Sequence, residues 1–526
     1  MRLPCFGFAY GAISGSYMTA VFIVLGSLSD TLFGPAQPAR ILAIETIAGK
    51  SHWNFMSSVL RALTENGHSV TAYTPFPDGD RDNYTEVDTS DSFAKLVGVG
   101  LTELVRKFGN PFIIIPIGVQ MNRHTCEMLY GDGRWRLGEN RSSEFDAIIV
   151  EPSLLDCVTY VANVLDIPLI YCVPTPVPTF VDGRAIGDVL NPAAVSQLWA
   201  DRAVPKTFFD RLANTVTTLY LRYVVAYKVA VLKAFEPRPY DADVAVPPSL
   251  VFVNGHYVSD PSRPMSQNVK NVGGIHLKPA QKLPKDILEF IEGSPHGVIL
   301  FTFGSTVLMS SIPNHIKNAF LEALSHLPQR VLLKYEDELE DKPNNVMTRK
   351  WFPQRDILLH PKVKLFVSHG GISGVYETVD AGVPVLGFPL FIDQHRNIDN
   401  LVEAGMAISM DILSVSKDTF LKNVVELIND GKYKKNAKIA SDIFKDRPMS
   451  PQQSVVYWTE YVIRHKGAPH FKSQAHNLTW YQYLLLDVIS VLLISIAIFS
   501  FVIFVVFKIV HQYLFKRSYT IQNKSE

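Results

Sequence analysis

The chain has 526 residues, of which 47% are hydrophobic and 19% are charged, with 50 basic and 50 acidic side chains. This length predicts at least two domains, each with a buried core. A formal net charge of zero lacks the basic surplus that binding to nucleic-acid phosphates needs, so a nucleic-acid partner is not expected.

The N-terminal region has the pattern of a secretory signal peptide. Arg2 precedes an apolar stretch that is densest in MTAVFIVLGSL, residues 18–28, and GPAQPA follows it. A stretch this short is typical of a signal peptide, which we assign to residues 1–36 without a defined cleavage site. A signal anchor or a buried N-terminal helix is the alternative.

From residue 40 onward, short apolar runs alternate with helical patterns. The runs that predict strands in the first half are RILAIET (40–46), HSVTAYTP (68–75), FDAIIVE (145–151) and IPLIYCV (167–173). Helical patterns lie between them at 52–66 and about 152–164. The scheme restarts after residue 284 with GVILFTFGS, RVLLKYE, VKLFVSHGG and VPVLGFPLF. Such alternation predicts parallel sheets covered by helices on both faces.

The fold class is therefore α/β, with two doubly wound domains. A glycine-, proline- and lysine-rich segment at 263–284 reads as a linker, so we divide the chain into an N-terminal domain, 37–274, and a C-terminal domain, 275–450. A helix and a juxtamembrane connection follow at 451–483. VGVG at 97–100 resembles a dinucleotide motif, but its glycine pattern is incomplete and no clear strand precedes it.

The C-terminal region predicts one membrane-spanning helix. VISVLLISIAIFSFVIFVVF, residues 488–507, has twenty residues without a charge or a proline, which is enough to cross a bilayer. Its flanks carry Trp480, Tyr481 and Tyr483 on one side and Lys508, Lys516 and Arg517 on the other. The positive-inside rule then places the tail, 509–526, in the cytosol. We expect a single-pass type I protein that spans the membrane at 484–508.

Glycosylation sequons agree with a lumenal body. They begin at Asn83, Asn140 and Asn477. Removal of the signal peptide takes Cys5 with it and leaves an odd number of cysteines: Cys126, Cys157 and Cys172. At least one of them is therefore unpaired within the chain. No cysteine–histidine cluster has metal-ligand spacing, so no metal site is predicted.

Polar residues gather where the strands of the second half end. Ser305, His369 and Asp393 each follow an apolar run, and the carboxyl ends of parallel strands are where α/β sheets bind ligands. HGG at 369–371, followed by a helix, offers free backbone N–H groups and a positive helix end to a diphosphate. Each residue alone is more often structural, so the prediction rests on the order and spacing of the whole group.

One long segment of the second half carries a family resemblance. WFPQRDILLHPKVKLFVSHGGISGVYETVDAGVPVLGFPLFIDQHRNI resembles the donor-binding signature of the UDP-glycosyltransferases, the membrane-bound animal branch, and is most similar to arthropod members. The resemblance covers nearly the whole chain, including SHW after the first strand, FTFGS and the terminal span. It implies a GT-B architecture, with the acceptor bound by the N-terminal domain and UDP-sugar by the C-terminal one. It also implies metal-independent transfer with inversion, and no cofactor besides the UDP-sugar co-substrate.

The resemblance also implies roles by position. Trp351 stacks on uracil beside Gln354, and Glu377 holds the ribose. The phosphates are held by Ser305, His369, Gly370 and Gly371, and the sugar is held by Asp393 and Gln394. Many relatives have asparagine where this chain has Ser373, a position near the phosphates. A hydroxyl can still donate there, so donor binding is expected to survive.

His52, in KSHWNF, is the candidate general base. It lies at a helix start after the first strand, where the helix end favours the neutral imidazole that a base needs. Its orienting carboxylate has two candidates. Glu151 lies at the strand end where many relatives have aspartate, and Asp156 follows five residues later. The aspartate chemistry favours Asp156 slightly.

The resulting expectation is an endoplasmic-reticulum enzyme that conjugates small lipophilic acceptors with a sugar, which the arthropod resemblance implies to be glucose. UDP-glucuronate is the rival donor, and a non-catalytic lipophile-binding protein is the alternative class. A serine hydrolase is discounted because no G-x-S-x-G motif occurs. The stretch 191–225 is expected to line the acceptor pocket or touch the membrane, unless it is an ordinary buried helix. The oligomeric state stays open, and a homo-oligomer is compatible with it.

Overall fold

The computed structural model describes residues 38–92, 98–131, 144–152, 157–175, 187, 191–241 and 246–522. The predicted signal peptide and two candidate residues, Asn140 and Asp156, lie outside these ranges. Within them, two parallel sheets form the centres of two domains, which confirms the predicted doubly wound α/β fold.

The first domain is built on a parallel sheet. The strands of this half, numbered in chain order, are β1 (Arg40–Ile44), β2 (Ser69–Thr74), β3 (Tyr84–Asp88), β4 (Val99–Gly100), β5 (Ala147–Val150), β6 (Leu169–Val173), β7 (Leu250–Val253) and β8 (Val269–Asn271). Apart from β4, they pair in the order β3-β2-β1-β5-β6-β7-β8. The chain runs outward from β1 in one direction and from β5 in the other. The carboxyl ends of β1 and β5 therefore flank a crevice.

The second domain repeats this plan. Its strands are β9 (Val298–Thr302), β10 (Val307–Leu308), β11 (Arg330–Lys334), β12 (Val346–Arg349), β13 (Val363–Ser368), β14 (Val385–Gly387) and β15 (Ala407–Ser409). Apart from β10, they pair in the order β12-β11-β9-β13-β14-β15. The direction of winding reverses between β9 and β13, so the second crevice lies at the carboxyl ends of these two strands.

Helices cover both faces of the two sheets. In chain order they are α1 (Lys50–Glu65), α2 (Leu101–Phe108), α3 (Pro111–Gly131), α4 (Cys157–Leu165), α5 (Phe208–Phe235), α6 (Lys285–Glu292), α7 (Asn314–Ser325), α8 (Gln354–Leu358), α9 (Ile372–Ala381), α10 (Gln394–Glu403), α11 (Lys417–Asn429), α12 (Gly431–Lys445), α13 (Pro451–Arg464), α14 (Trp480–Tyr483) and α15 (Leu486–Gln522). The central strands are apolar on both faces because each face packs against helices.

The segment predicted as a linker, 263–284, contains a strand. Its residues Val269–Asn271 form β8, which pairs in parallel with β7 at the edge of the first sheet. Only Val269 of the three residues is buried. A three-residue edge strand with one buried side chain produces no apolar run, so its sequence carries no strand signal.

A piece of the first half is built into the second domain. We call residues 98–108 the interdomain segment. Its strand β4 pairs in parallel with β10, and the Gly98 N–H donates to the Ser305 carbonyl oxygen over 3.2 Å. Leu101 and Leu104 of α2 are buried among the core residues of the second sheet. The VGVG motif thus supplies an interdomain strand.

The chain returns to the first domain before it reaches the membrane helix. Val455 and Val462 of α13 are buried in the same cluster as Trp53 and Leu60 of α1. In α15, the segment Leu486–Lys516 is long and apolar enough to cross a membrane, with a mean hydropathy of 3.0 and no buried residue in its most apolar window. This agrees with the predicted span. Helix α5 also passes this test, at a mean hydropathy of 1.2.

The cysteines of the described residues agree with the odd count. Cys126 of α3 and Cys157 of α4 form a disulfide. Cys172 of β6 is a buried free thiol. The bond links the two helices that cover the same face of the first sheet.

The docking of the interdomain segment predicts a specific cross-link. A Cβ atom added at Gly100 would lie 3.8 Å from the Ser311 Cβ atom, within the range of about 3.5–4.5 Å found in disulfides. We expect Gly100→Cys combined with Ser311→Cys to oxidise to a disulfide, detected by non-reducing peptide mapping. The two single cysteine variants serve as controls. A double variant that stays reduced under oxidant would contradict this docking.

Candidate active site

His52 and Glu151 form a contact at the crevice of the first sheet. His52 lies in the first turn of α1, and its Nδ1 atom is 2.7 Å from Oε1 of Glu151. Glu151 follows β5 directly and its side chain is 4% exposed, whereas the His52 side chain is 30% exposed. A Cβ atom at Gly49 would lie 2.9 Å from the His52 ring, so the ring packs on the Gly49 backbone. Helix α1 and strand β5 therefore fix the positions of the His52 and Glu151 side chains.

Burial controls the charge of this pair. It lowers the pKa of His52, while the nearby carboxyl groups of Glu45 and Asp393 act in the opposite direction. It raises the pKa of Glu151 to about 7, opposed by a hydrogen bond with Glu45. The largest cause of the lowered His52 pKa is thus burial. The sequence-based expectation was that the N-terminus of the helix lowers this pKa. The result is the same, a neutral imidazole at neutral pH.

Of the two carboxylates proposed to orient His52, the described residues include only Glu151. Asp156 lies in the stretch 153–156, outside them. Glu151 reaches His52 from the strand end.

Glu45 is a residue of this crevice that the sequence analysis missed. It follows β1 directly, is 1% exposed and lies beside Glu151, because β1 pairs with β5 in register. The available signal was an ionisable residue at the end of the apolar run RILAIET. A charged residue that ends a buried strand at a winding reversal is a candidate site residue.

The loop after β13 forms the corresponding part of the second crevice. Helix α9 begins at Ile372 without a side-chain cap, so its first N–H groups are available to an anion. Cβ atoms at Gly304 and Gly371 would lie 2.7 Å and 2.6 Å from atoms of the His369 ring. The ring is therefore clamped between two backbone segments, which explains both glycines. Burial, helped by the charge of Lys334, lowers the pKa of His369 to about 4, so the ring is neutral.

Asn397 joins this loop to Asp393. Its Nδ2 atom donates to the Gly370 carbonyl oxygen over 2.9 Å and to Oδ2 of Asp393 over 2.8 Å. Burial raises the pKa of Asp393, and the hydrogen bond from Asn397 opposes the rise. Ile392 has a φ of 55°, which is costly for a β-branched residue and characteristic of functional loops. The sequence analysis assigned no role to Asn397.

The carbonyl oxygen and the amide group of the Gln394 side chain have different roles. Its Oε1 atom accepts hydrogen bonds from the N–H groups of Leu390, over 2.9 Å, and Phe391, over 3.3 Å. The carbonyl therefore shapes the turn after β14. Only the amide N–H groups remain for a ligand, so Asp393 and Gln394 are not equivalent partners for a sugar.

The residues predicted for a nucleoside surround the start of α9. Nε2 of Gln354 donates to Oε2 of Glu377, and burial raises the pKa of Glu377 to about 7 against the effect of this bond. The Trp351 side chain is 65% exposed, which leaves its indole open to stacking. The Ser373 carbonyl oxygen lies 3.2 Å from Nε2 of His276. Ser305, half-buried after β9, completes the group.

The two crevices face each other. The charge of Asp393 raises the pKa of His52, and the charge of His52 lowers that of Asp393. A histidine–carboxylate pair from the first domain thus lies opposite an anion-binding helix end from the second. Such an arrangement can deprotonate a hydroxyl group beside a bound phosphate ester.

The remaining predicted positions lie at the periphery. Asn83 and Asn477, the described sequon residues, are exposed. The stretch 191–225 runs into α5 and packs on the interdomain segment through Trp199, whose Nε1–H donates to the Phe108 carbonyl oxygen over 2.9 Å. Its Ala203 N–H donates to Oδ2 of Asp399 in α10 over 2.9 Å. This stretch therefore lies against the interdomain segment and against α10, the helix that follows Asp393.

Sequence comparison relates the chain to sugar transferases. Residues 80–524 match the family described as "UDP-glucoronosyl and UDP-glucosyl transferase". UDP-glucosyltransferase 2 of Dactylopius coccus is 38% identical over 510 residues, covering 93% of this chain and 97% of the relative. Human UDP-glucuronosyltransferase 2B15 is 32% identical over 493 residues, covering 86% and 90%.

Structural comparison agrees at the level of the fold. The glycosyltransferase SnogD from Streptomyces nogalater superposes with a TM-score of 0.53 at 15% identity, covering 81% of this chain and all of that structure. The GT-B arrangement of two doubly wound domains is therefore common to both.

Proposed function

Because the chain belongs to the family of UDP-glucosyl and UDP-glucuronosyl transferases, we propose that it transfers glucose from UDP-glucose to a hydroxyl group of a small lipophilic acceptor. The enzyme is a UDP-glycosyltransferase; the sugar, the acceptor class and the base are the proposed part. The observation that carries the proposed base is the 2.7 Å contact between His52 and Glu151 at a cleft shared with Asp393.

In this proposal His52 is the general base. Glu151 accepts a hydrogen bond from the Nδ1–H of His52, which fixes the tautomer of the ring. The Nε2 atom is then free to take the proton of the sugar acceptor's hydroxyl group. As that proton leaves, the acceptor oxygen attacks the anomeric carbon, and the bond from this carbon to the UDP oxygen breaks. Attack from the side opposite the leaving group inverts the configuration. Glu151 stabilises the imidazolium that forms.

The second domain supplies the donor site. The N–H groups at the start of α9, with those of Gly370 and Gly371, donate hydrogen bonds to the diphosphate and stabilise the charge that develops on departing UDP. Glu377 accepts hydrogen bonds from the ribose hydroxyls, and Trp351 stacks on uracil. Asp393 accepts from sugar hydroxyls, while Gln394 donates through its amide. Ser305, neutral His369 and Ser373 contribute further polar groups around the phosphates.

Two observations support a neutral sugar over glucuronate. The carboxyl groups of Glu151 and Asp393 lie near His52, so a sugar carboxylate would enter a field of like charge. The cations near the donor loops are already paired: Lys334 lies 2.5 Å from Glu336, and Arg396 lies 3.7 Å from Asp260. The Dactylopius relative named as a glucosyltransferase agrees with this choice.

Exposed apolar surface supports a lipophilic acceptor and a body that lies at a membrane. Helix α5 exposes a row of large apolar side chains: Phe208, Phe209, Leu212, Val216, Leu219, Tyr223 and Tyr227. Such a surface beside the cleft suits lipophilic acceptors that arrive from a bilayer. We place the body in the endoplasmic-reticulum lumen, held by α15, with the basic flank that starts at Lys508 in the cytosol.

The first prediction concerns the base and the donor. In membranes that contain the protein, we expect UDP release from UDP-glucose, and little from UDP-glucuronate, to depend on added phenols or sterols. His52→Ala should lower this rate by about 10²–10⁴-fold, because general base catalysis contributes that much, without changing UDP affinity. A His52→Ala protein as active as wild type would refute the proposed base. Absence of release with either donor would favour a binding protein.

A second prediction tests whether Glu151 or Asp156 is the carboxylate that orients His52. Glu151→Gln removes the charge that orients His52, and kcat should fall by about 10²–10⁴-fold. Asp156→Asn should retain activity within a few-fold. The matched amides preserve volume, so steady-state rates at equal protein level make the comparison. The reverse order of effects would assign the role to Asp156.

A third prediction concerns pH. Ionised Glu377 accepts ribose hydrogen bonds and its protonated form does so less well, so donor binding should weaken as pH falls through its pKa of about 7. KM for UDP-glucose should rise by up to about tenfold per pH unit below that value. Glu377→Gln should have a higher KM that depends far less on pH. An unchanged pH dependence in Glu377→Gln would exclude Glu377 as the titrating group.

A further inference from the structure

Glu45 and Glu151 are neighbours by the register of the first sheet. Ile44 of β1 pairs with Val150 of β5, so each glutamate is the next residue of its strand. The Glu151 N–H donates to the Ile44 carbonyl oxygen over 3.4 Å, and Oγ1 of Thr46 donates to the Glu151 carbonyl oxygen over 3.0 Å. Glu45 is 1% exposed and Glu151 is 3% exposed. Two buried carboxyl groups are thus fixed side by side by backbone bonds.

The hydrogen bonds of Glu45 leave one oxygen for Glu151. Its Oε1 atom accepts from the Ile47 N–H over 3.2 Å. Its Oε2 atom is buried, and no N–H or O–H group of the described residues donates to it. The pairing of β1 with β5 places the Glu151 side chain beside it, and the charge of Glu151 raises the pKa of Glu45. Two ionised carboxylates can only accept hydrogen bonds, so this contact needs a proton between them.

We propose that Glu45 is a positioning residue: its carboxyl group donates a proton to a hydrogen bond with Glu151 and so holds the Glu151 carboxylate against His52. The inference rests on the proposed role of His52 as the base. It extends the pair into a chain of three groups, Glu45, Glu151 and His52, in which only His52 meets the substrate.

The charges around Glu45 support this direction of donation. Burial raises its pKa well above the usual range, the charge of Glu151 raises it further, and His52 acts in the opposite direction. The same hydrogen bond lowers the pKa of Glu151. The Cys172 thiol of β6 also faces both carboxyl groups, and its pKa is raised by burial and by their charges. The proton therefore resides on Glu45, and Glu151 is kept as the charged partner of His52.

Removing the Glu45 carboxyl group changes the pKa of Glu151 in a predictable direction. Without the hydrogen bond from Glu45, the pKa of Glu151 rises, so Glu151 takes up a proton at a higher pH. Activity that needs ionised Glu151 is then lost at a higher pH as the solution is acidified. The acid limb of kcat/KM moves toward alkaline pH, and one pKa unit corresponds to about a tenfold loss below the limb.

The test compares Glu45→Leu, which has no donor, with Glu45→Gln, whose amide donates at every pH. We expect Glu45→Leu to shift the acid limb upward by about one pH unit and to lose about tenfold in kcat/KM at acid pH. Glu45→Gln should keep the limb near its wild-type position. KM for UDP-glucose should not change in either variant, because the donor residues lie in the other domain. If Glu45→Leu does not fold, Glu45→Met replaces it.

Three outcomes decide the matter. If His52→Ala inactivates the enzyme but the pH profile of Glu45→Leu or Glu45→Met superimposes on that of wild type, the positioning role is overturned. The proposed role of His52 as the base is then unaffected. Equal shifts in Glu45→Gln and Glu45→Leu would also overturn it, because the effect would then come from volume and not from donation. Retained activity in His52→Ala would instead show the failure of the proposed function itself.

Discussion

The site depends on where the winding of each parallel sheet reverses. At these two positions the loops after β1 and β5, and after β9 and β13, diverge and leave a crevice that no crossover helix covers. His52, Glu45 and Glu151 come from the first crevice, and His369 from the second. Each residue follows a strand that is buried on both faces, so its backbone is rigid while its side chain reaches the cleft.

The two crevices act together because the chain crosses between the domains more than once. The interdomain segment hydrogen-bonds to the Ser305 loop and buries Leu101 and Leu104 in the second domain's core. Helix α13 returns to pack on α1, the helix that carries His52. The Ser305 loop and His52 are therefore each attached to elements of the other half, which limits how far the two halves can separate.

Burial sets the electrostatics of the cleft. Charge on His52 or His369 is disfavoured by desolvation, while Glu45, Glu151, Glu377 and Asp393 have raised pKa values for the same reason. Hydrogen bonds then select which carboxyl group stays ionised: Gln354 favours the charged form of Glu377, and Asn397 that of Asp393. The described part of the cleft therefore combines neutral histidines with carboxyl groups whose ionisation depends on their hydrogen bonds.

The sequence by itself determined the fold class and most of the candidate site, because apolar strand runs and the residues that end them are local patterns. It also indicated the membrane helix, since twenty uncharged residues need no tertiary context. Three features were decided only by tertiary structure: strand β8, the interdomain pairing of β4 with β10, and the placement of Glu45 beside Glu151. Each depends on residues far apart in sequence becoming neighbours, and an isolated valine–glycine pair or a single glutamate carries no record of the partner it will meet.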